Sequence, residues 1–269
     1  MDSDEQASMQ PFRGNPNQDR PPRILILGGT SEASRLAARL AGRTDLITIS
    51  SLAGRLSQPT RPAGIVRIGG FGGVTGLTWY LLKEKINVVI DATHPFATRI
   101  SSNAEMACKI TNVPLISFER RPWKPLEQDR WLHAPDMQAA ASLVNHQHRR
   151  VFLSIGRQEL GAFSDCEDAW FLIRAIDEPQ CPLPPRSKLI LERGPFTLDH
   201  ELNLLRTESI GYVVSKNSGG AATYSKIEAS RILGIPIVMI DRPLKHTAPT
   251  VAHLDEVLLR VEEFLEAES

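Results

Sequence analysis

The sequence has little cysteine, few aromatic residues and no net charge. Only three of the 269 residues are cysteine, and Cys108, Cys166 and Cys181 lie far apart without a C-x-x-C spacing. An odd number of isolated cysteines argues against a disulfide framework and against a zinc site, so we expect no bound metal and a reducing, cytoplasmic location. Lysine and arginine together number 31, as do aspartate and glutamate. No overall field therefore favours nucleic acid or an anionic membrane.

Long apolar segments are also missing. No run approaches the roughly 20 apolar residues that a membrane-spanning helix needs. The first 22 residues are polar, mix both charges and lack the apolar core of a signal peptide. We predict that residues 1–22 form a disordered extension, and we expect no membrane partner and a monomer or weak homo-oligomer. The remaining length is enough for one large domain or two small ones.

The segment that begins at Arg23 has the pattern of a strand, a glycine turn and a helix. Four apolar residues run up to Gly28 and Gly29, and apolar residues then recur at helical spacing in 36–40. In a parallel α/β protein such a turn presents backbone N–H groups at a helix N-terminus, where a phosphate is stabilised. The full G-x-G-x-x-G pattern is absent. The turn by itself therefore leaves two interpretations open, a nucleotide site or a simple chain reversal.

Strand and helix patterns alternate along the first half and then recur in the second half. The alternation is typical of a parallel, doubly wound sheet. Residues 151–159 align with 24–32, 191–196 with 66–71, 213–214 with 88–89, and 235–243 with 113–122. We therefore predict an α/β fold with two Rossmann-like lobes, each a mainly parallel sheet flanked by helices. Residues 23–119 form a cofactor-binding lobe and 120–269 a second, substrate-facing lobe. Ligands bind beyond the carboxyl ends of parallel strands, so we place the active site in the cleft between the lobes.

The expected cofactor follows from the end of the second predicted strand. Residues 50–55 contain hydroxyls and Arg55 but no acid. An acid here accepts from the ribose hydroxyls of NAD, whereas a cation accommodates the extra phosphate of NADP. The segment favours NADP(H), and the alternative is an ordinary polar loop. Five glycines in residues 69–76 indicate a close approach of the main chain to a flat or anionic ligand, or a tight loop between lobes.

Familiar catalytic motifs are absent, since the chain has neither H-E-x-x-H nor G-x-S-x-G. His94 is the histidine that follows a predicted strand. Asp91, at the end of the same strand, has the alternative role of capping the next turn. Residues 215–226 offer N–H groups, hydroxyls and lysines in the manner of a phosphate or carboxylate cradle. Tyr224 and Lys226 are only two residues apart and do not form the helical Tyr-x-x-x-Lys pair of short-chain dehydrogenases.

Six segments together resemble the precorrin-6A reductase (cobalt-precorrin-6A reductase) family of cobalamin biosynthesis. They are residues 27–32, 51–55, 67–73, 90–97, 193–196 and 215–220, and the resemblance runs from about Arg23 to the C-terminus. The resemblance implies two Rossmann-like lobes, NADPH, and reduction of one double bond of the tetrapyrrole precorrin-6A to give precorrin-6B. Two other interpretations stay open: an NADP-dependent reductase of another substrate, and a non-catalytic two-lobed protein that binds a small molecule.

These considerations select three groups of site residues. We expect cofactor contacts at Gly28, Gly29, Thr30, Ser51, Gly54, Arg55, Gly70, Phe71, Gly72, Thr93 and His94. Because the macrocycle carries acetate and propionate groups, a neutral protein needs local cations to bind it. The expected substrate contacts are Arg157, Arg193, Lys216, Asn217, Ser218, Gly219 and Arg242. The proton donor is left open between His94, Asp91, Tyr224 and water.

Overall fold

The computed structural model describes residues 20–54, 60–145, 149–245 and 250–267. In the first half the elements are β1 (Arg23–Leu27), α1 (Ser31–Ala41), β2 (Ile47–Leu52), β3 (Ile65–Ile68), α2 (Gly73–Lys83), β4 (Val88–Asp91), α3 (Thr98–Thr111) and β5 (Leu115–Phe118). In the second half they are β6 (Trp131–Ala134), α4 (Met137–Asn145), β7 (Arg150–Ser154), a short 3-10 helix (Leu160–Phe163), β8 (Trp170–Ala175), β9 (Ser187–Leu191), α5 (Leu198–Thr207), β10 (Tyr212–Lys216), α6 (Ser225–Ile232), β11 (Ile237–Ile240), β12 (Thr250–Val251) and α7 (Leu254–Ala267).

The strands form two six-stranded sheets, in the orders β12-β5-β4-β1-β2-β3 and β6-β11-β10-β7-β8-β9. Every strand pairing in the described residues is parallel. In each sheet the chain runs outward from a central strand on one side and then on the other, which is the doubly wound arrangement. The predicted fold class, α/β with two Rossmann-like lobes, is confirmed.

The central strand β1 is apolar throughout because both of its faces are covered. Successive side chains of a strand point to opposite faces, so Ile24 and Ile26 pack with α1 and α7, while Leu25 and Leu27 pack with α2 and α3. All four side chains are essentially inaccessible to water. Helix α1 begins where the Thr30 side chain accepts a hydrogen bond from the third N–H of the helix. This alternation gives each lobe one apolar layer on either side of its sheet.

The C-terminal end of the chain returns to the first lobe, which corrects the predicted range 120–269 for the second lobe. Strand β12 pairs with β5, and α7 buries Val257 and Val261 against the core that contains Ile24 and Ile26. Strand β6, which follows the first five strands along the chain, pairs instead with β11 of the second sheet. The chain therefore crosses to the second lobe after β5 and returns after β11, and it is the first lobe that takes its sixth strand from beyond the other lobe. The apolar face of α7 covers a surface of β1 that water would otherwise reach.

Two sequence-based predictions fall wholly or largely outside the described residues: the disorder of residues 1–22, of which 1–19 are not described, and the role of Arg55. The described part begins close to the first strand, and the carbonyl of Pro22 accepts the N–H of Ile47 at 2.8 Å. Within the described ranges, none of the helices is both long and apolar enough to cross a membrane.

Candidate active site

The residues predicted to contact the cofactor follow β1, β2, β3 and β4 at one edge of the first sheet. The described ones are Gly28, Gly29, Thr30, Ser51, Gly54, Gly70, Phe71, Gly72, Thr93 and His94. Four parallel strands that end side by side bring these loops together, and the N–H of Gly28 bonds the carbonyl of Ser51 at 2.9 Å. Their contacts with a cofactor stay a prediction.

Thr30 links the first turn to the fourth strand. Its Oγ1 accepts the N–H of Ala33 at 3.1 Å and donates to the carbonyl of Ala92 at 2.8 Å. The first bond satisfies one of the open N–H groups of α1. The second joins the ends of β1 and β4, the point at which the strand order reverses. In an open α/β sheet this reversal is the place where nucleotides bind.

A narrow crevice lies at this reversal point, lined by Thr30, Glu32, Ala92, Thr93, Pro95, Phe118 and Arg120. Arg120 Nη1 donates to Glu32 Oε2 at 2.7 Å, and Arg120 Nε donates to the carbonyl of Ser218 at 2.6 Å. Burial acts to raise the pKa of Glu32, but the charge of Arg120 and several hydrogen bonds outweigh it and lower the pKa. Arg120 therefore connects the crevice of the first lobe to a loop of the second lobe.

Arg67, on β3, organises the glycine-rich loop. Its Nη1 donates to Ser51 Oγ at 3.2 Å and to the carbonyl of Gly69 at 2.5 Å, and its Nη2 donates to the carbonyl of Gly70 at 2.7 Å. The guanidinium lies 3.7 Å from the ring centre of Phe71. The Arg67 guanidinium thus connects the glycine-rich loop to β2.

One glycine of this stretch has a local role. A Cβ atom on Gly76 would overlap the carbonyl oxygen of Phe71, whereas Gly69, Gly70, Gly72 and Gly73 have no atom within 4 Å of such a position. Gly76 therefore allows the loop to fold back on α2. The other four glycines border open space and remain compatible with a ligand.

Asp91 is buried and serves the turn that follows its strand. Its Oδ1 accepts the N–H of Thr93 at 3.0 Å and the hydroxyl of Thr93 at 2.6 Å. Its Oδ2 lies 3.5 Å from Nζ of Lys245, which also donates to Thr93 Oγ1 at 3.0 Å. The capping role that the sequence left open for Asp91 is the one the structure has. Its predicted role as proton donor is not supported, because both carboxylate oxygens are engaged.

His94 is neutral and partly buried between the lobes. Its Nδ1 accepts the N–H of Phe96 at 3.3 Å, which leaves the ring proton on Nε2. Burial and the charges of Arg120, Lys216, Lys245 and Arg242 lower the pKa of His94 to about 3. We call these four residues the interlobe cation cluster. In the unliganded protein His94 is therefore a hydrogen-bond donor at neutral pH, and not an acid.

Each member of the interlobe cation cluster has a carboxylate partner. The pairs are Arg120 with Glu32 at 2.7 Å, Lys216 with Glu159 at 2.8 Å, Arg242 with Glu119 at 3.0 Å, and Lys245 with Asp91 at 3.5 Å. Arg242 also donates to the carbonyls of Asn217 and Arg120, while its buried Nη2 has no hydrogen-bond partner among the described residues.

The loop after β10, predicted as an anion cradle, packs against residues 119–130, which join β5 to β6 and which we call the linker. The Asn217 amide accepts the N–H of Trp123 at 2.9 Å and donates to its carbonyl at 3.2 Å. A Cβ on Gly219 would lie 2.2 Å from the carbonyl oxygen of Arg121 and 2.6 Å from Nη2 of Arg242. Gly219 is thus needed for the close packing of this loop against another part of the same chain. Whether this loop also touches substrate stays a prediction, as does the role of Ser218.

The three remaining predicted residues are Arg157, Arg193 and Tyr224. Arg157 follows β7 and donates to the carbonyl of Glu178 at 3.1 Å, and Arg193 is exposed after β9. They share the carboxyl edge of the second sheet and remain predicted substrate contacts. The Tyr224 hydroxyl accepts from Arg231, two turns along α6. A catalytic role for Tyr224 stays a prediction.

Sequence reasoning missed Arg67, Arg120 and Lys245 as site residues. Arg120 had a signal, because the internal alignment places it opposite Arg242. Lys245 had none, since its partner Asp91 is distant in sequence. In the described parts of the chain, no group of three or more His, Cys, Asp or Glu side chains is arranged to hold a metal ion.

Comparison with known proteins identifies the family. The family model described as precorrin-6x reductase CbiJ/CobK matches residues 23–262. The chain belongs to this family. The precorrin-6A reductase of Rhodobacter capsulatus is 46% identical over 237 residues, covering 88% of this chain and 94% of that protein. The precorrin-6A reductase of Rhodococcus erythropolis is 48% identical over 221 residues, covering 82% and 89%.

The family's fold agrees with the one described above. A solved structure of CobK precorrin-6A reductase matches with a TM-score of 0.86 and 45% identity, covering 90% of this chain and 97% of that one. The family resemblance expected from the six sequence segments is confirmed, and the chain is an oxidoreductase that acts on a carbon–carbon double bond.

Proposed function

We propose that the chain reduces one double bond of precorrin-6A to give precorrin-6B in cobalamin biosynthesis, with NADPH as the hydride donor. One observation carries the proposal beyond family membership. The crevice at the end of β1 and β4 and the interlobe cation cluster share a residue, Arg120. A cofactor bound across this edge of the sheet would therefore lie beside cations suited to the carboxylates of the macrocycle.

The residues at the crevice fit a nicotinamide dinucleotide. The glycine turn after β1, where Gly29 has φ +108° and open space at the Cβ position, leaves room for a backbone approach to a pyrophosphate. No acid follows β2, which favours NADPH over NADH. A bound nicotinamide supplies the hydride that the reduction requires.

The interlobe cation cluster is proposed to hold the substrate. Macrocycle carboxylates can accept from Lys216, and they can share Arg120 with Glu32. When several carboxylates are fixed at once, one double bond of the macrocycle is held in place relative to the cofactor. Positioning of this kind supplies much of the reduction in the activation barrier of a reaction between two molecules.

The contacts favour His94 or water as the proton source over Asp91. Burial is the largest cause of the low pKa of His94, and the four like charges come next. Substrate carboxylates that neutralise the interlobe cation cluster would remove this second cause and raise the pKa. Until then His94 is proposed to donate a hydrogen bond through Nε2–H. Substrate binding would thus prepare the ring for proton transfer.

The test mixes purified protein, NADPH and precorrin-6A, and follows the absorbance of NADPH and of the macrocycle. We expect NADPH consumption that depends on the substrate and matches the spectral change of the macrocycle. A sample without precorrin-6A controls for background oxidation, and Arg260→Gln, an exposed change on α7, controls for handling of a variant. No consumption with authentic substrate would contradict the reductase proposal, and binding without consumption would favour a non-catalytic binding protein.

A further inference from the structure

We propose that Arg67 recognises the 2′-phosphate of NADPH and so selects this cofactor over NADH. The inference deepens the proposed function and rests on its choice of cofactor. Arg67 was not among the predicted cofactor contacts, which assigned this role to Arg55. The observations behind it are the position of Arg67 in the sheet, its lack of a carboxylate partner and the rigidity of its guanidinium.

The position is the one where an α/β dinucleotide fold holds the adenosine ribose. Arg67 pairs in register with Ser51, the next-to-last residue of β2. The end of the second strand is where an acid or a cation distinguishes NAD from NADP. The Arg67 side chain reaches this point from the neighbouring strand and donates to the Ser51 hydroxyl. Residues 50–55 supply no acid that would compete for the guanidinium.

The charge of Arg67 is not neutralised by any carboxylate among the described residues. Its three hydrogen-bond partners are one hydroxyl and two carbonyls. By contrast, Arg120 and Arg242, which are also partly buried, each have a carboxylate oxygen within 3.0 Å. Burial lowers the pKa of Arg67, as expected when a cation is desolvated without a counter-charge. A partly buried cation of this kind favours an anionic ligand.

The guanidinium is held in one orientation and still has free donors. It rests on the Phe71 ring at 3.7 Å, and three oxygens hold its two Nη atoms. A guanidinium has five N–H donors, so the Nε–H and one Nη2–H have no partner among the described residues. Two donors in fixed geometry suit two oxygens of a phosphate. Because the side chain is already ordered, little conformational entropy remains to be lost on binding.

The test measures binding of two fragments by calorimetry, so that it does not depend on turnover. The ligands are 2′,5′-ADP, which carries the 2′-phosphate, and 5′-AMP, which lacks it. The proteins are wild type, Arg67→Gln, Arg55→Ala and the exposed control Arg260→Gln. We expect wild type and the control to bind 2′,5′-ADP more tightly than 5′-AMP. Arg67→Gln should bind 2′,5′-ADP about 10- to 100-fold more weakly, the usual range for a lost charged hydrogen bond, and 5′-AMP within about threefold of wild type.

Three outcomes would overturn the inference. If Arg67→Gln keeps the preference while Arg55→Ala loses it, the cation is Arg55, and NADPH stays the proposed cofactor. If Arg67→Gln loses affinity for both ligands equally, Arg67 only supports the loop. If wild type shows no preference between the ligands, Arg67 and the choice of NADPH both fail, while the reduction of precorrin-6A is decided separately by the substrate-dependent assay with NADH.

Discussion

Replacing Gly219 by alanine should destabilise the protein more than the same change at Gly234. Both glycines have nearly the same left-handed backbone, with φ of +66° and +65°, but a Cβ on Gly234 has nothing within 4 Å. The backbone cost of about 1–2 kcal/mol is therefore common to both variants. At Gly219 the new methyl also lies 2.2 Å from the Arg121 carbonyl. Forcing atoms into a packed contact adds about 1–3 kcal/mol.

The linker cannot easily move away from the added methyl. Arg120, on one side of the contact, is held by Glu32 and by the carbonyl of Ser218. Trp123, on the other side, is held by both ends of the Asn217 amide. The strain should therefore reach the interlobe cation cluster, and kcat/KM for precorrin-6A should fall in Gly219→Ala and not in Gly234→Ala.

Thermal and urea unfolding of the two variants at neutral pH measure the difference. For a chain of this size, an extra 1–3 kcal/mol corresponds to a further fall in Tm of roughly 2–12 °C. Because each variant carries the same chemical change in the same backbone conformation, the comparison isolates the contact with Arg121. Equal unfolding temperatures for the two variants would refute the close approach of the loop to the linker.

Two further predictions concern pH. The pKa of His94 is about 3 in the folded protein and 6.5 in the unfolded chain. Between these pH values the unfolded chain binds a proton that the native protein does not, so the free energy of unfolding rises with pH. His94→Asn should flatten this rise in urea unfolding from pH 4 to 7; an unchanged slope would contradict it. Burial and the charge of Arg174 lower the pKa of Lys226 to about 7, so stability should also rise from about pH 7 to 10.5. Lys226→Met should remove that slope and increase the free energy of unfolding at pH 7; a less stable variant would show that the amine contributes favourably.

The local patterns that the sequence reveals are those carried by neighbouring residues. The apolar run before Gly28 predicts a buried strand because its side chains must be covered on both faces, and the helical spacing of apolar residues in 36–40 predicts the helix that follows. Repetition of these patterns predicts two lobes of one fold class. The same reasoning places the predicted cofactor residues at one edge of the first sheet, because parallel strands share their carboxyl edge.

The partners of individual groups depend on contacts between distant parts of the chain. The interpretation of Gly219 as part of an anion cradle omitted Arg121, which lies almost a hundred residues earlier and fills the space beside it. In the same way the sequence motif places Asp91 at a strand end but does not reveal Lys245. Arg67 became a candidate only when its neutral partners were known, since counter-charges are not encoded locally.

By itself, the sequence determined the fold class, the family, and the sheet edge at which the predicted cofactor residues lie. The tertiary structure decided that the chain returns to the first sheet after β11. Strand β12 has only two residues, too few to indicate which sheet it joins, whereas the burial of Val257 and Val261 against Ile24 and Ile26 holds α7 on the first lobe. The tertiary structure also decided which cations are already neutralised by carboxylates and which are not. Charged side chains pair with whichever groups lie near them in the folded protein, and the positions of residues along the chain do not reveal these neighbours.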